Sequence, residues 1–120
     1  MSLAGKRILL VEDEGLVSAM VEDMLTDLGA VVVGTAATIA KGLLYASTLA
    51  EIDAAVLDVN VREERIDPVA RALLKRAVPI VFATGYGTAP DVGATSAVVI
   101  DKPYTREKLE RALNTALARH

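Results

Sequence analysis

The stretch Arg7-Ile-Leu-Leu-Val-Glu-Asp-Glu14 joins a continuous apolar run to an abrupt acidic end. A run such as Ile8–Val11, with no polar alternation, is typical of a strand buried on both faces of a parallel sheet. The next apolar side chains, within residues 16–28, recur at helical spacing and predict an amphipathic helix that ends at Gly29. A buried strand, then acids, then a helix indicates an α/β protein with the acids at the carboxyl end of a strand.

The same order of strand and helix continues along the chain. Apolar runs predict four more strands, at Ala30–Gly34, Ala54–Leu57, Val78–Ala83 and Ala97–Ile100. The predicted N-terminal caps of the later helices are Thr38, Asp67 and Thr105. The segment Thr88–Gly93 carries no apolar stripe and predicts at most a short helix. Strands that alternate with helices imply a parallel sheet with helices on both faces.

The composition excludes several kinds of site. The 120 residues are 52% hydrophobic and carry a net charge of −3, which suits one globular domain and argues against a nucleic-acid groove. Cysteine is absent and His120 is the only histidine, so thiolate zinc sites, disulfides and multi-His metal sites are excluded. No apolar run approaches the roughly 20 residues of a membrane-spanning helix. We expect a cytoplasmic protein with no membrane partner.

Polar side chains follow four of the five predicted strands where each strand ends. They are Glu12, Asp13 and Glu14, then Asp58 and Asn60, then Thr84, and finally Asp101 and Lys102. In open parallel sheets, ligands bind outside these carboxyl ends. Carboxylates gathered there repel one another unless a cation intervenes, and hard oxygen ligands suit Mg²⁺. Because an Asp can form an aspartyl-phosphate, the set is coherent as a phosphoryl-acceptor site.

Four motifs, each at a strand end, resemble the response-regulator receiver domains of two-component signalling. They are Ile8-Leu-Leu-Val-Glu-Asp-Glu14, Val56-Leu-Asp-Val-Asn60, Phe82-Ala-Thr-Gly-Tyr86 and Asp101-Lys-Pro-Tyr104. The third motif further resembles the receiver subgroup nicknamed FAT GUY. The resemblance implies a flavodoxin-like (βα)5 fold, doubly wound, with a five-stranded parallel sheet in the order 2-1-3-4-5. It implies one receiver domain over residues 1–120, with a core of about 6–118 and no output domain.

The resemblance also implies a role for each residue at the strand ends. Asp58 would accept phosphate from a sensor histidine kinase or a histidine phosphotransfer protein. The Mg²⁺ (or Mn²⁺) ligands would be Glu12, Asp13, Asp58 and the backbone carbonyl of Asn60. The residues that contact or orient the phosphoryl group would be Lys102, Thr84 and Pro103, the last of these setting a turn that often contains a cis Lys-Pro bond.

Activation is where the sequence departs from the commoner receiver pattern. The position three before the lysine is often an aromatic residue that swings inward, and here it is Val99. Tyr86 is a candidate replacement for that switch. Tyr104 is a candidate switch or turn residue, with partial burial and a hydrated hydroxyl as the alternative.

Three functions remain open at this point. The leading hypothesis is a phosphorylation-controlled switch that acts on an unidentified downstream protein and does no catalysis beyond its own phosphorylation and dephosphorylation. The missing aromatic residue and the weak fourth helix favour the alternative of a phosphate-independent interaction module on a receiver scaffold. A small phosphatase that uses an aspartyl-phosphate is the third, but such enzymes typically carry a second Asp where this chain has Asn60.

Overall fold

The computed structural model describes residues 3–85, 90 and 97–119. Its strands are β1 (Arg7–Val11), β2 (Val31–Ala36), β3 (Ala54–Asp58), β4 (Asn60–Val61), β5 (Glu64–Arg65), β6 (Ile80–Thr84) and β7 (Val98–Asp101). Five of them form a parallel sheet in the order β2-β1-β3-β6-β7, while β4 and β5 pair with each other as a short antiparallel hairpin. Counted over the sheet strands alone, this is the predicted order 2-1-3-4-5, which is confirmed.

Helices cover both faces of the sheet, as a doubly wound fold requires. They are α1 (Gly15–Asp27), α2 (Ile39–Thr48), α3 (Asp67–Lys75) and α4 (Arg106–Ala118). On one face, Leu25 of α1 and Leu113 of α4 pack in the same cluster as Leu10. On the other face, α2 and α3 pack against the alternate strand residues, among them Leu9 and Phe82. The alternation of neighbouring residues between two cores is the reason that the strands read as continuous apolar runs.

Every residue of β3 and β6 is buried, and so are the last four residues of β1. Burial of one Leu, Val or Phe side chain contributes about 1.5–3 kcal/mol. The three central strands are therefore held firmly, and their carboxyl ends present a fixed edge to the loops that follow.

Side-chain caps begin two of the helices as predicted. The hydroxyl oxygens of Thr38 and Thr105 accept hydrogen bonds from the main-chain N–H groups of Lys41 and Lys108, each at 3.1 Å. The cap predicted at Asp67 is wrong, because Asp67 is the first helical residue of α3. Its carboxylate instead accepts a hydrogen bond from the guanidinium of Arg65 at 3.1 Å.

The β4–β5 hairpin was not anticipated from the sequence. Its two turn residues, Arg62 and Glu63, have positive φ angles of 51° and 66°, as a type I′ turn requires. Such turns usually contain Gly or Asn, and the left-handed conformation costs about 1–2 kcal/mol for other residues.

The predicted weak helix at Thr88–Gly93 lies outside the described residues, apart from Pro90. Among the described helices, none is long and apolar enough to cross a membrane.

Ala77 offers a test of backbone strain at the end of α3. It adopts φ 57°, and the next N–H, that of Val78, reaches back to the carbonyl of Leu73 at 3.1 Å in a Schellman arrangement. We expect Ala77→Gly to raise the free energy of unfolding by about 0.5–1 kcal/mol, because relief of the left-handed strain exceeds the entropy that glycine adds to the unfolded chain. Urea denaturation would measure it.

The matched control is Ala72→Gly, the same substitution inside α3, where φ is helical. It should lower the free energy of unfolding by about 1 kcal/mol. Destabilisation of the protein by both substitutions would contradict the assignment of strain to Ala77.

Candidate functional site

A pocket of about 340 Å³ opens at the carboxyl edge of the sheet. Its lining includes five of the residues proposed from the sequence, namely Asp13, Asp58, Asn60, Thr84 and Lys102. Strands β1 and β3 are neighbours with Val11 beside Leu57, so the chain leaves both strands at the same level. The acids that follow β1 therefore lie next to Asp58 at the end of β3.

Three carboxylates form a cluster beside this pocket. Glu12, Asp13 and Asp58 each offer an oxygen, and these oxygens lie within 4.8 Å of one another. Glu12 is 1% exposed and Asp58 is 4% exposed, so water screens their repulsion poorly. Burial, and then the neighbouring charge of Asp58, raise the pKa of Glu12 to about 7. A cluster of carboxylate oxygens of this kind fits a divalent cation such as Mg²⁺.

Lys102 supplies positive charge to the acidic cluster. Its ammonium lies 2.9 Å from Oδ2 of Asp58 and 3.5 Å from Oε1 of Glu12. Burial lowers the pKa of Lys102, but the hydrogen bond to Asp58 and the charge of Glu12 outweigh it, so the pKa is raised. The main-chain N–H of Lys102 donates to the carbonyl of Thr84 at 2.9 Å, which ties the start of this loop to the neighbouring strand. The Lys102–Pro103 peptide is cis, as the resemblance implied.

The remaining residues proposed from the sequence differ in their positions relative to the pocket. Thr84 is buried at the end of β6 and lines the pocket. Asn60 is exposed, and its main-chain N–H donates to Oδ1 of Asp58 at 3.3 Å. Its carbonyl remains a predicted metal ligand. Val99 is exposed on β7, where the commoner receiver pattern has an aromatic residue. Tyr86 lies outside the described residues.

Tyr104 has a role that its sequence position did not reveal. The side chain is buried, and its hydroxyl donates to Oε1 of Glu12 at 3.2 Å. Burial, and then the charge of Glu12, raise the pKa of Tyr104, so the phenol remains a proton donor. The hydroxyl therefore holds Glu12 rather than facing water, which no spacing in the sequence could have indicated.

Arg62 is the other contact that sequence reasoning missed. Its main-chain N–H donates to Oδ2 of Asp13 at 3.0 Å, across the mouth of the pocket. Burial raises the pKa of Asp13, but hydrogen bonds from Arg62 and the Glu12 side chain outweigh it, and the pKa is lowered. Asp13 is thus held as a carboxylate. The sequence carried no signal for this contact, because the turn lacks glycine and asparagine.

The structure is a doubly wound α/β fold with buried acids and a lysine at the carboxyl edge of its parallel sheet, and comparison with known proteins identifies the family. SdrG from Sphingomonas melonis Fr1 matches with 42% identity and a TM-score of 0.80, over 98% of this chain and 99% of that one. A response regulator receiver protein from Sinorhizobium medicae WSM419 matches with 28% identity and a TM-score of 0.80, over 98% of each chain. The chain belongs to the response-regulator receiver domains.

Two further comparisons bear on the site. The receiver domain of the sensor histidine kinase PA1611 from Pseudomonas aeruginosa PAO1, solved with magnesium in its active-site cleft, matches with 27% identity and a TM-score of 0.81, over 96% and 99% of the chains. The transcriptional regulatory protein PdtaR from Mycobacterium tuberculosis is 31% identical over 95% of this chain. The chain spans 58% of the length of PdtaR. No family model matches the chain.

The stability of the metal-free protein tests the charge balance of the site. Lys102→Met leaves two buried carboxylates without their ammonium. Loss of a buried partner costs about 3–5 kcal/mol, and since this side chain is partly exposed we expect a loss of about 2 kcal/mol in the free energy of unfolding. Urea denaturation in a chelating buffer would measure it.

Two further variants complete this experiment. Asp58→Asn, added to Lys102→Met, should recover part of the loss because it removes one of the stranded charges. Lys75→Met, at an exposed position on α3, should change the stability by less than about 0.5 kcal/mol. An equal loss for Lys75→Met and Lys102→Met would show that Lys102 does not balance the acids.

Proposed function

We propose that this receiver domain accepts a phosphoryl group on Asp58 from a phosphohistidine in a Mg²⁺-dependent reaction, and that phosphorylation switches its binding to a partner protein. The observation that carries the proposal is the contact of 2.9 Å between the Asp58 carboxylate and the Lys102 ammonium, within the acidic cluster and open to the pocket. A nucleophilic carboxylate, an ammonium and a set of hard oxygen ligands are the groups that aspartyl phosphorylation needs.

The chemistry assigns a task to each side chain. An oxygen of Asp58 attacks the phosphorus, the P–N bond to the donor imidazole breaks, and the imidazole nitrogen keeps the electron pair and takes up a proton. The Lys102 ammonium, which lies at hydrogen-bond distance from Asp58, pairs with a phosphoryl oxygen once the group is on Asp58. The Thr84 hydroxyl, which lines the same pocket, donates to another phosphoryl oxygen.

The residues that would hold Mg²⁺ are Glu12, Asp13, Asp58 and the carbonyl of Asn60. The bound cation would supply positive charge to the phosphoryl oxygens. The support from this chain is the cluster of three carboxylates within 4.8 Å, which a single ammonium does not neutralise.

Acetyl phosphate gives a direct test of the phosphoacceptor. With MgCl₂ present, intact-mass spectrometry should show one added phosphoryl group on the wild-type protein and none on Asp58→Asn. EDTA should abolish the addition. The matched control is Asp101→Asn, an exposed aspartate at the same sheet edge, which should be labelled like the wild type. Equal labelling of Asp58→Asn and the wild type would refute the assignment.

The surface beside the site supports a protein rather than a small molecule as donor. On α1, Leu16 is 83% exposed and Met20 is 53% exposed, although the sequence pattern placed both on the apolar stripe of this helix. Met20 also lines a cavity of about 350 Å³, together with Glu14, Val17, Val21, Lys102, Pro103 and Tyr104. Exposed apolar side chains that adjoin a site mark a surface for protein contact. We propose that the helix bearing the phosphohistidine packs here.

Variants of α1 separate docking from chemistry. Leu16→Glu and Met20→Glu should each reduce the rate of phosphotransfer from a phosphorylated histidine protein that labels the wild type, by about tenfold, because a charge replaces a buried apolar contact. Labelling by acetyl phosphate should not change. The control is Leu44→Glu, since Leu44 is 52% exposed on α2, which packs on the opposite face of the sheet from α1. An equal loss of labelling rate with the histidine protein and with acetyl phosphate would show that the variants impair phosphorylation of Asp58 itself and not docking.

The alternative of a phosphate-independent interaction module makes a different prediction. It requires the same affinity for a captured partner in the wild type, in Asp58→Ala and in the protein loaded with a phosphoryl mimic. A beryllofluoride-activated conformation is known for SdrG, so BeF₃⁻ is a suitable mimic. A change in partner affinity on addition of BeF₃⁻ to the wild type alone would favour the phosphorylation-controlled switch.

A further inference from the structure

The hairpin that follows the phosphoacceptor is firmly mounted on the protein core. Val59, Val61 and Ile66 are each at most 2% exposed and belong to the cluster between the sheet and helices α2 and α3. The N–H of Ile66 donates to the carbonyl of Val59 at 2.9 Å and closes the base of the hairpin. The turn at its tip is therefore held in place by buried side chains.

The turn directs a main-chain donor toward Asp13 of the acidic cluster. Arg62 and Glu63 occupy the two left-handed positions of the turn, and the N–H of Arg62 donates to Oδ2 of Asp13 at 3.0 Å. A type I′ turn is closed by a hydrogen bond between the residues that flank the two central ones. The N–H of Arg62 is thus not needed to form the turn, and it is available to a group outside the hairpin.

We propose that Arg62 is a positioning residue, whose main-chain N–H fixes the Asp13 carboxylate in the orientation that the divalent cation requires. The hydrogen bond occupies a lone pair on one oxygen and restrains rotation of the carboxylate. The other lone pairs remain for the cation. The contact with Asp13 is made by the main-chain N–H while the Arg62 side chain is exposed, so the proposed function belongs to the backbone at this position. This inference rests on the proposed function, in which Asp13 is a ligand to Mg²⁺.

Outer partners of metal ligands typically change metal affinity by 10–100-fold when they are lost. A substitution of the side chain cannot remove a main-chain donor, so the test replaces the amide by an ester. One protein carries a lysine derivative at position 62 of the full chain and keeps the main-chain amide there. A second protein carries the α-hydroxy analogue of the same derivative, in which an ester oxygen replaces the main-chain N–H. The two proteins differ only in an N–H group and an oxygen atom.

The readouts are the Kd for Mg²⁺, from an NMR titration with MgCl₂, and the Tm without metal. We expect the ester protein to bind Mg²⁺ about tenfold more weakly than its amide partner, with a similar Tm. A loss of affinity that matches a large fall in Tm would assign Arg62 a merely structural role and overturn the inference. Equal Kd values for ester and amide would overturn it too, while leaving the proposed function standing.

Further variants make the outcome independent of one chemical substitution. Glu63→Gly and Glu63→Pro both remove a carboxylate that lines the pocket, but Gly keeps the turn and its main-chain donors, so it is the matched reference. Glu63→Pro cannot adopt a positive φ and displaces the turn, so it should bind Mg²⁺ more weakly than Glu63→Gly. In metal-free protein, Asp13→Asn should shift the amide proton resonance of Arg62. Absence of Mg²⁺ binding by the wild type would refute the proposed function along with this inference.

Discussion

Repulsion between the buried carboxylates of Glu12 and Asp58 is the constraint on which the rest of the site depends. Water reaches neither of them well, so their charges interact strongly. Lys102 lies between them and offsets part of the repulsion, at 2.9 Å from Asp58 and 3.5 Å from Glu12. Burial, and then the charge of Asp58, raise the pKa of Glu12, and one ammonium does not balance the three acids. Excess negative charge at this edge of the sheet consequently favours the binding of a cation.

The fold keeps the acids from moving apart. Strands β1 and β3 are neighbours in a parallel sheet and are buried on both faces, so the chain positions that follow them cannot separate without disruption of the core. Lys102 reaches the acids from β7, which lies beyond β6, and its main-chain hydrogen bond to Thr84 sets that approach. Because the frame is rigid, the like charges stay close together, and binding of a cation relieves their repulsion. A flexible loop would relieve the same repulsion by moving the charges apart.

The residues at the strand ends could be predicted because two simple rules place them. Continuous apolar runs identify buried parallel strands, and parallel strands end at one edge, so Asp13, Asp58 and Lys102 had to meet there. The hairpin could not be predicted, because Arg62 and Glu63 have no intrinsic preference for a left-handed turn and adopt it through the buried residues around them. The hydrogen bond from Tyr104 to Glu12 joins residues 92 positions apart, and only the packed structure determines that distance.

The three carboxylates share a feature that links the site to the backbone of the segments that follow β1 and β3. Each accepts a main-chain N–H: Glu12 from Glu14 at 3.2 Å, Asp58 from Asn60 at 3.3 Å, and Asp13 from Arg62 at 3.0 Å. Main-chain donors depend on the path of the backbone and not on which side chains it carries. Segments with different sequences can therefore support the same acids, provided that the backbone follows the same path. The buried valines of the hairpin supply that path here, so the chemistry of the site and the packing beneath it are linked through the backbone.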